Sequence, residues 1–326
     1  MSTKKNILEL LENKRGQNIS GEYLAEQLNI SRNAVWKAVN ELKKDGYKIE
    51  AITNKGYRLC EDNDILSVQG MLPFLSDKNV SEKINVHASL ESTNRTAKEL
   101  AISGAEHGTI VIADSQTAGK GRYGRGFFSP PEHGIYMSFI FRLTQRHLIS
   151  VPTLITSYAA VSVCKAIEAT TEKMPQIKWV NDIFLDGKKI CGILTEAVTD
   201  FESGNMQWIV VGIGINFITP KTGFPNEIRN IAGSVFSESK PTITRNKLAA
   251  EIINRMLNFE NNYDSETVLS EYKKRLMMIG NKVVVIGLNE PFEAMAIDID
   301  EIGRLIVKKD SGEVLSLSAG EINIKI

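Results

Sequence analysis

The chain has 326 residues, 42% of them hydrophobic and 24% charged, and its 39 Lys and Arg balance 39 Asp and Glu. This composition excludes a disordered or strongly polyionic chain and gives enough material for two or three globular domains. Three scattered cysteines, Cys60, Cys164 and Cys191, have neither disulfide-framework nor metal-ligand spacing, so a reduced, cytoplasmic setting and no protein-held metal are expected.

Charge is less even along the chain than in total. Residues 1–60 hold 11 Lys and Arg against 7 Asp and Glu. Within them, KKNILELLEN carries a helical apolar stripe, Ser20 and Ser31 are placed as N-caps of two further helices, and Gly46 is placed to stop the last. Val35, Ala38, Val39 and Leu42 recur at helical spacing, which leaves Ser31, Arg32, Asn33, Trp36, Lys37 and Asn40 on the first turn and outer face. Asn and Arg there suit base edges and Lys suits phosphate. YKIEAITNKGYRL then alternates as a hairpin with Lys55 at its tip. Residues 1–62 are read as a winged helix-turn-helix that binds DNA.

CEDNDILSVQG marks a boundary, and residues 63–275 read as an α+β domain around one mixed or mostly antiparallel sheet. Its strands include GTIVIADSQ, GIYMSFIFRL, IKWVNDIFL, ICGILTEAV and QWIVVGIGINF, with helices near 93–103, 152–170 and 244–262. The uncharged run Leu148–Cys164, broken by Pro152 and several hydroxyls, reads as a buried helix and not a membrane span. Residues 276–326 contain short strands separated by turn residues, as in a small barrel.

SQTAGKGRYGRGFFSP, residues 115–130, concentrates Lys120, Arg122 and Arg125 among glycines with no acidic residue to neutralise them. It matches G-x-G-x-x-G, but FFSPP and a strand follow where a dinucleotide fold needs a helix. A Walker A loop fails because Gly121 follows Lys120. The loop is therefore expected to close cationic side chains over an anion. In ESTNRTA, Ser92, Thr93 and Asn94 exceed what one helix cap needs and are expected to line a polar pocket. Read as one strand, KWVNDIFL puts Lys178, Val180 and Asp182 on one face and Trp179, Asn181 and Ile183 on the other. Lys189, at the start of ICGIL, is expected to point into a cavity and Lys188 into solvent. Gly212 and Gly214 admit either a ligand or another part of the chain.

ESTN, SQTAGKGRYGRGF, KWVND, GKKICGILTE and GIGIN, in this order and between a winged helix and a barrel, resemble the bifunctional biotin-protein ligases that also repress biotin operons. The resemblance spans the whole chain. It implies a central sheet like that of class II aminoacyl-tRNA synthetases and an SH3-like C-terminal barrel. It implies ATP, Mg2+ and biotin as reactants, biotinyl-5'-AMP as intermediate, and a biotin carboxyl carrier domain, operator DNA and an adenylate-dependent homodimer as partners. Ser92, Thr93, Asn94, Gln116, Lys120, Gly121, Arg122 and Lys189 would bind biotin, with Lys189 and Arg122 also catalytic. Arg125, Phe127, Asp182, Asn216 and Arg229 would bind the adenylate, Arg229 within a lid at 226–236. Val180 and Phe127 stand where the family usually has proline and tryptophan. Two rival readings, a biotin sensor that does not ligate and a lipoate ligase, are disfavoured by the cations and by the winged helix respectively.

Overall fold

Three serines open the first three helices. α1 (Thr3–Asn13), α2 (Gly21–Leu28) and α3 (Arg32–Lys44) follow Ser2, Ser20 and Ser31, whose hydroxyls accept N–H bonds from Lys5, Tyr23 and Ala34. Each such cap is worth about 1 kcal/mol relative to alanine. α3 ends just before Gly46, where φ is +94°. Ile7, Leu11, Leu24, Val35, Val39, Leu42 and Leu59 form one buried cluster, and burial contributes roughly 1.5–3 kcal/mol for each large apolar side chain. β1 (Ile49–Ile52) and β2 (Gly56–Leu59) pair antiparallel as the expected wing.

The wing has a third partner that the sequence did not disclose. Ile19 and Tyr57 exchange two N–H···O bonds of 2.8 Å. Gly56 permits this approach: its φ is +88°, and a Cβ there would collide with the Ile19 carbonyl.

The structure, a computed structural model, describes residues 2–142, 152–199, 206–237, 240–258, 264–286, 290–318 and 320–324. The chain forms two units, Met1–Glu82 with Thr242–Glu251, and Lys83–Pro241 with Ile252–Ile326. Polar contacts explain why the first unit runs beyond the wing. Arg245, 2% exposed, donates Nε to Asp64 Oδ2 at 3.0 Å and Nη2 to the Asp64 carbonyl at 2.6 Å. Asn246 accepts the Ser67 N–H at 3.0 Å and donates to the Ile65 carbonyl at 2.8 Å. A buried guanidinium without such partners would be strongly destabilising.

In the second unit, β3 (Ile84–Leu90) and β4 (Thr109–Gln116) are parallel and joined through helix α4 (Thr93–Ile102). β5 (Gly134–Arg142), β6 (Gln176–Lys178), β7 (Asp182–Leu185), β8 (Lys188–Thr199) and β9 (Met206–Asn216) complete a mixed sheet of order β3-β4-β5-β9-β8-β7-β6. Ala97 and Ala101 of α4 pack on Val111, Ile140 and Val210 on one face. On the other face, α5 (Pro152–Thr171) brings Thr156 Oγ1 to 2.8 Å from Thr195 Oγ1. Strands covered on both faces read as near-continuous apolar runs, which is how β5 and β9 appear. The helix expected in the uncharged run thus starts at Pro152; residues 148–151 lie outside the described residues. Among the described residues no helix is long and apolar enough to cross a membrane.

KWVNDIFL is two strands, not one. β6 stops at Lys178, a turn occupies 179–181, and Asp182 of β7 pairs back with Lys178. Long-range bonds hold this turn: Trp179 Nε1 donates to the Gly303 carbonyl at 3.0 Å, and the Tyr272 hydroxyl donates to the Val180 carbonyl at 2.9 Å. Strand alternation therefore does not separate Asn181 from Asp182. Helices α6 (Arg245–Leu257) and α7 (Ser265–Arg275) precede β10 (Lys282–Ile286), β11 (Phe292–Ile299), β12 (Leu305–Lys308), β13 (Val314–Leu317) and β14 (Glu321–Ile324). These strands form an antiparallel sheet of order β13-β12-β11-β10-β14.

Substituting Gly56→Ala should open the third wing strand. Hydrogen exchange at the Ile19 and Tyr57 amides, read on the full chain, should speed up by at least about tenfold, because the left-handed φ and the collision each cost on the order of 1 kcal/mol.

Candidate functional site

The register of the large sheet lays two rows of residues across its α4 face. One row is Ser138, Gly212 and Leu194; the next is Tyr136, Gly214, Gly192, Asp182 and Lys178. Three neighbouring glycines in a buried sheet leave a trench. A Cβ at Gly212 would collide with Asn94 Oδ1, and one at Gly214 would lie 2.6 Å from the Phe127 ring. The glycines thus admit side chains of the protein itself, which wall and floor a cavity of about 380 Å³, a size that suits a small molecule.

Lys189 reaches this face because of a β-bulge. Ile183 pairs with Cys191 but Phe184 pairs with Lys189, so Ile190 is an extra residue on β8. In an unbroken strand Lys189 would share a face with Cys191. The extra residue moves it to the face of Gly192, where a Cβ would lie 3.6 Å from its Nζ. Bulges beside functional sites commonly re-aim a side chain in this way. Lys189 Nζ sits 2.7 Å from Asp182 Oδ1. Lys188 is exposed, as expected, with its ammonium on the Asn230 carbonyl at 2.7 Å. The Lys189 backbone bonds Ile231 and Gly233, bringing Ile228, Ile231 and Ala232 to the cavity wall.

Ser92, Thr93 and Asn94 are all buried at the start of α4. Ser92 occupies the N-cap position but its hydroxyl makes no capping bond, so it remains available to the cavity it lines. The Thr93 N–H donates to Gln116 Oε1, and Gln116 Nε2 donates to Ser129 Oγ, both at 2.9 Å. Ser138 Oγ, fully buried, lies 2.8 Å from Thr93 Oγ1 and 2.6 Å from Asn94 Oδ1. Asn94 donates its amide to the Leu194 carbonyl at 3.2 Å and to Glu196 Oε2 at 2.9 Å. Its donors are therefore spent, and it can offer a ligand only an acceptor. Glu196 Oε1 takes the Lys98 ammonium at 2.8 Å. Burial pushes the Glu196 carboxyl up, but bonds from Lys98 and Asn94 and the charges of Lys98 and Lys120 outweigh it and hold it below the ordinary glutamate value.

The basic loop is folded as a hairpin. Phe127 N–H donates to the Gly119 carbonyl at 2.8 Å and Gly121 N–H to the Arg125 carbonyl at 2.7 Å, around a single 3-10 turn, Arg122–Gly124. Lys120, Gly121, Arg122, Arg125 and Phe127 all line the cavity, with Asp182 and Asn216. Arg122 Nη1 donates to Asn181 Oδ1 at 3.1 Å. Asn216 Nδ2 donates to the Gly233 carbonyl at 2.8 Å.

Arg229 is a correction. It is exposed, donates to Asn226 and does not line the cavity; its apolar neighbours do. The segment 226–236 does reach the cavity, but through apolar residues that carried no charge signal. Asn181, Ser129, Ser138 and Glu196 were missed. Ser138 left a trace as the lone hydroxyl in the apolar run GIYMSFIF, whereas Asn181 was assigned to the wrong face.

In the N-terminal unit, Arg32, Asn33, Trp36 and Lys37 are exposed on α3, Asn40 is half-buried, and Lys55 is exposed at the wing tip. Trp36 is 55% exposed, far more than a tryptophan that packs into a core. Arg32 pairs with Glu22 at 2.6 Å, an exposed pair worth at most about 1 kcal/mol and so readily exchanged for a phosphate. Ser31 accepts the Ala34 N–H and keeps its own proton for donation.

Three family models match successive parts of the chain: an HTH domain at residues 3–58, the biotin/lipoate A/B protein ligase family at 86–216, and the biotin protein ligase C-terminal domain at 278–324. The bifunctional ligase/repressor BirA of Bacillus subtilis is 36% identical over 315 residues, 95% of each chain. The chain belongs to the bifunctional biotin ligase/repressor family. Its first unit is thus the DNA-binding winged helix of a repressor and its second a biotin ligase. The bifunctional ligase/repressor BirA of Escherichia coli K12 is 29% identical over 324 residues, 98% of this chain and 96% of the relative. In the solved structures, a biotin protein ligase from Aquifex aeolicus in complex with biotin and ATP shares the fold, with TM-score 0.62 and 22% identity over 74% of this chain and 98% of that one.

Because the folded Glu196 pKa is depressed, its interactions support stability above the ordinary value of 4.5 and lose that support as pH falls through the folded value. Glu196→Gln should lower the urea midpoint at pH 7, and the difference from the wild type should shrink progressively below pH about 4.5.

Proposed function

We propose that biotin and ATP react in this cavity in two half-reactions. The biotin carboxylate attacks the α-phosphorus of ATP; an O–P bond forms, the α–β bridge breaks, and biotinyl-5'-AMP and pyrophosphate result. A lysine ε-amine on a biotin carboxyl carrier domain then attacks the acyl carbonyl, loses a proton and displaces AMP. The observation that carries this reading is Lys189, which the bulge turns onto the same cavity wall that the loop cations face.

Neither step needs a protein nucleophile. Placement and fixed positive charge supply most of the help, and such charge acts most strongly where water is excluded. Lys189 would hold the carboxylate and α-phosphate oxygens, leaving Asp182 when the ligand arrives. Ser92, Gln116 and the Gly121 backbone would bond the cyclic urea, and Asn94 Oδ1 would accept one of its N–H groups. Thr93 would act by holding Gln116, and Lys120 and Arg122 would cover the ring. Arg125 and Asn216 would line the adenylate, with Phe127 offering its ring to the adenine.

Among the described residues no three His, Cys, Asp or Glu converge on a metal position, and Asp182 is the one acidic side chain among the described residues that line the cavity. The donor set therefore fits Mg2+ that arrives on the nucleotide phosphates and keeps its waters. The metal would supply charge neutralisation there.

On the DNA side, Asn33, Trp36 and Asn40 would meet base edges while Arg32, Lys37 and Lys55 meet phosphate, with Ser31 donating to the backbone. Adenylate in the cavity would neutralise Lys120, Arg122 and Arg125, and the stiffened loop surface would pair two copies on a two-part operator. A cytoplasmic setting would suit this role and would keep the free Cys60, Cys164 and Cys191 reduced.

Biotin-dependent exchange of labelled pyrophosphate into ATP tests the first half-reaction, and mass spectrometry of a carrier domain tests the second. Lys189→Ala should lower exchange by roughly 10²–10³-fold. Operator affinity should rise with biotin plus ATP at fixed salt; an unchanged affinity would sink the coupling. Lys37→Ala should weaken all DNA sequences alike and reduce the salt slope by about 1.

A further inference from the structure

Tyr123 has no role in the reading above, yet its backbone is unusual. Its φ is +57° and the residue is 67% exposed. A bulky aromatic rarely occupies that region, and such strain persists where surrounding interactions enforce it. With glycine on either side of the turn at Gly121 and Gly124, a third glycine would have suited the backbone better.

What the strained position provides is a hold on Arg122. The Tyr123 hydroxyl accepts Arg122 Nη2–H at 3.1 Å, and the ring lies under the guanidinium, 5.0 Å from its carbon. At the opposite end, Nη1–H donates to Asn181 Oδ1 at 3.1 Å. Asn181 is itself fixed, since its amide donates to the Ile193 carbonyl at 2.9 Å. We propose that Tyr123 is a positioning residue, which with Asn181 holds the Arg122 guanidinium at the cavity before the ligand arrives.

The geometry of arginine makes this effective. Its five N–H donors lie in one plane. Two are spent on the clamp, and the Nε–H and one hydrogen on each terminal nitrogen have no partner among the described residues. A plane held at two corners and covered on one face has less freedom to swing into solvent. A cation fixed in advance stabilises developing charge without having to reorganise during the reaction.

The inference rests on the proposed adenylation, in which Arg122 meets the ligand, and the test separates the two. The full-length chain is compared with Tyr123→Gly, Tyr123→Phe, Arg122→Ala and the double variant Arg122→Ala/Tyr123→Gly in biotin-dependent pyrophosphate exchange, with kcat and KM resolved and the unfolding midpoint recorded. Tyr123→Gly should lower kcat about tenfold while its unfolding midpoint stays level or rises, because strain is relieved. Tyr123→Phe, which keeps the ring and loses the hydroxyl, should fall between. In the Arg122→Ala background, Tyr123→Gly should add nothing, since Tyr123 acts only through that guanidinium. An unchanged kcat in Tyr123→Gly, or a full effect that persists without Arg122, overturns the clamp. No exchange in the wild type overturns the ligase reading instead.

Discussion

The cavity depends on three missing side chains. Gly192, Gly212 and Gly214 sit side by side on one face of the central sheet, where other strand positions would fill the space beneath α4. Glycine in a strand costs roughly 0.5–1 kcal/mol relative to alanine, so this patch is locally unfavourable and must be supported from outside. The support is polar on one side, through Asn94, Ser138 and Glu196, and aromatic on the other, through Phe127. Because the Asn94 amide is consumed in this support, the hydrogen-bonding groups left facing the cavity are few and fixed in kind. A site with fixed buried donors and acceptors rejects ligands that cannot match them.

Positive charge is added to this scaffold by two different devices. Lys189 is delivered by a strand irregularity and waits on Asp182; the arginines are delivered by a loop. Both side chains are only partly exposed, so the pairing with Asp182 offsets the partial desolvation of the ammonium. The pair makes no directed hydrogen bond through Asp182 Oδ1, which leaves the ammonium able to turn towards a phosphate oxygen. Fixed polarity at one end of the cavity and exchangeable charge at the other suit a reaction whose anion changes identity between steps.

How far the sequence disclosed this depends on the range of the interactions. Local signals held: the serine caps at Ser20 and Ser31, the stop at Gly46, the wing with Lys55 at its tip, and the opposite environments of Lys188 and Lys189. Non-local ones did not. The turn at 179–181 contains neither glycine nor proline and is held by Gly303 and Tyr272, more than 90 positions away along the chain. The Ile19 bridge to Tyr57 likewise has no local pattern. The resemblance implied Arg229 for this segment, whereas the segment presents Ile228, Ile231 and Ala232 to the cavity. Charge is visible in a sequence; the direction in which a loop residue points is not.

Lys189 shows how a single residue of register decides which surroundings an ammonium meets. Side chains on a strand alternate with period two, so a single extra residue between Gly192 and Lys189 decides which face receives the ammonium. Without Ile190 out of register, the lysine would fall on the face of Cys191, whose thiol is pushed far up by complete burial, and a charge there would be desolvated. A bulge disturbs the ladder locally, yet here the β7–β8 hairpin loses little because Lys189 recovers backbone partners in Ile231 and Gly233. Those same two bonds bring Ile228, Ile231 and Ala232 to the cavity. The irregularity that aims the cation therefore also seats an apolar wall of the cavity, and the two effects cannot be separated by changing the lysine alone.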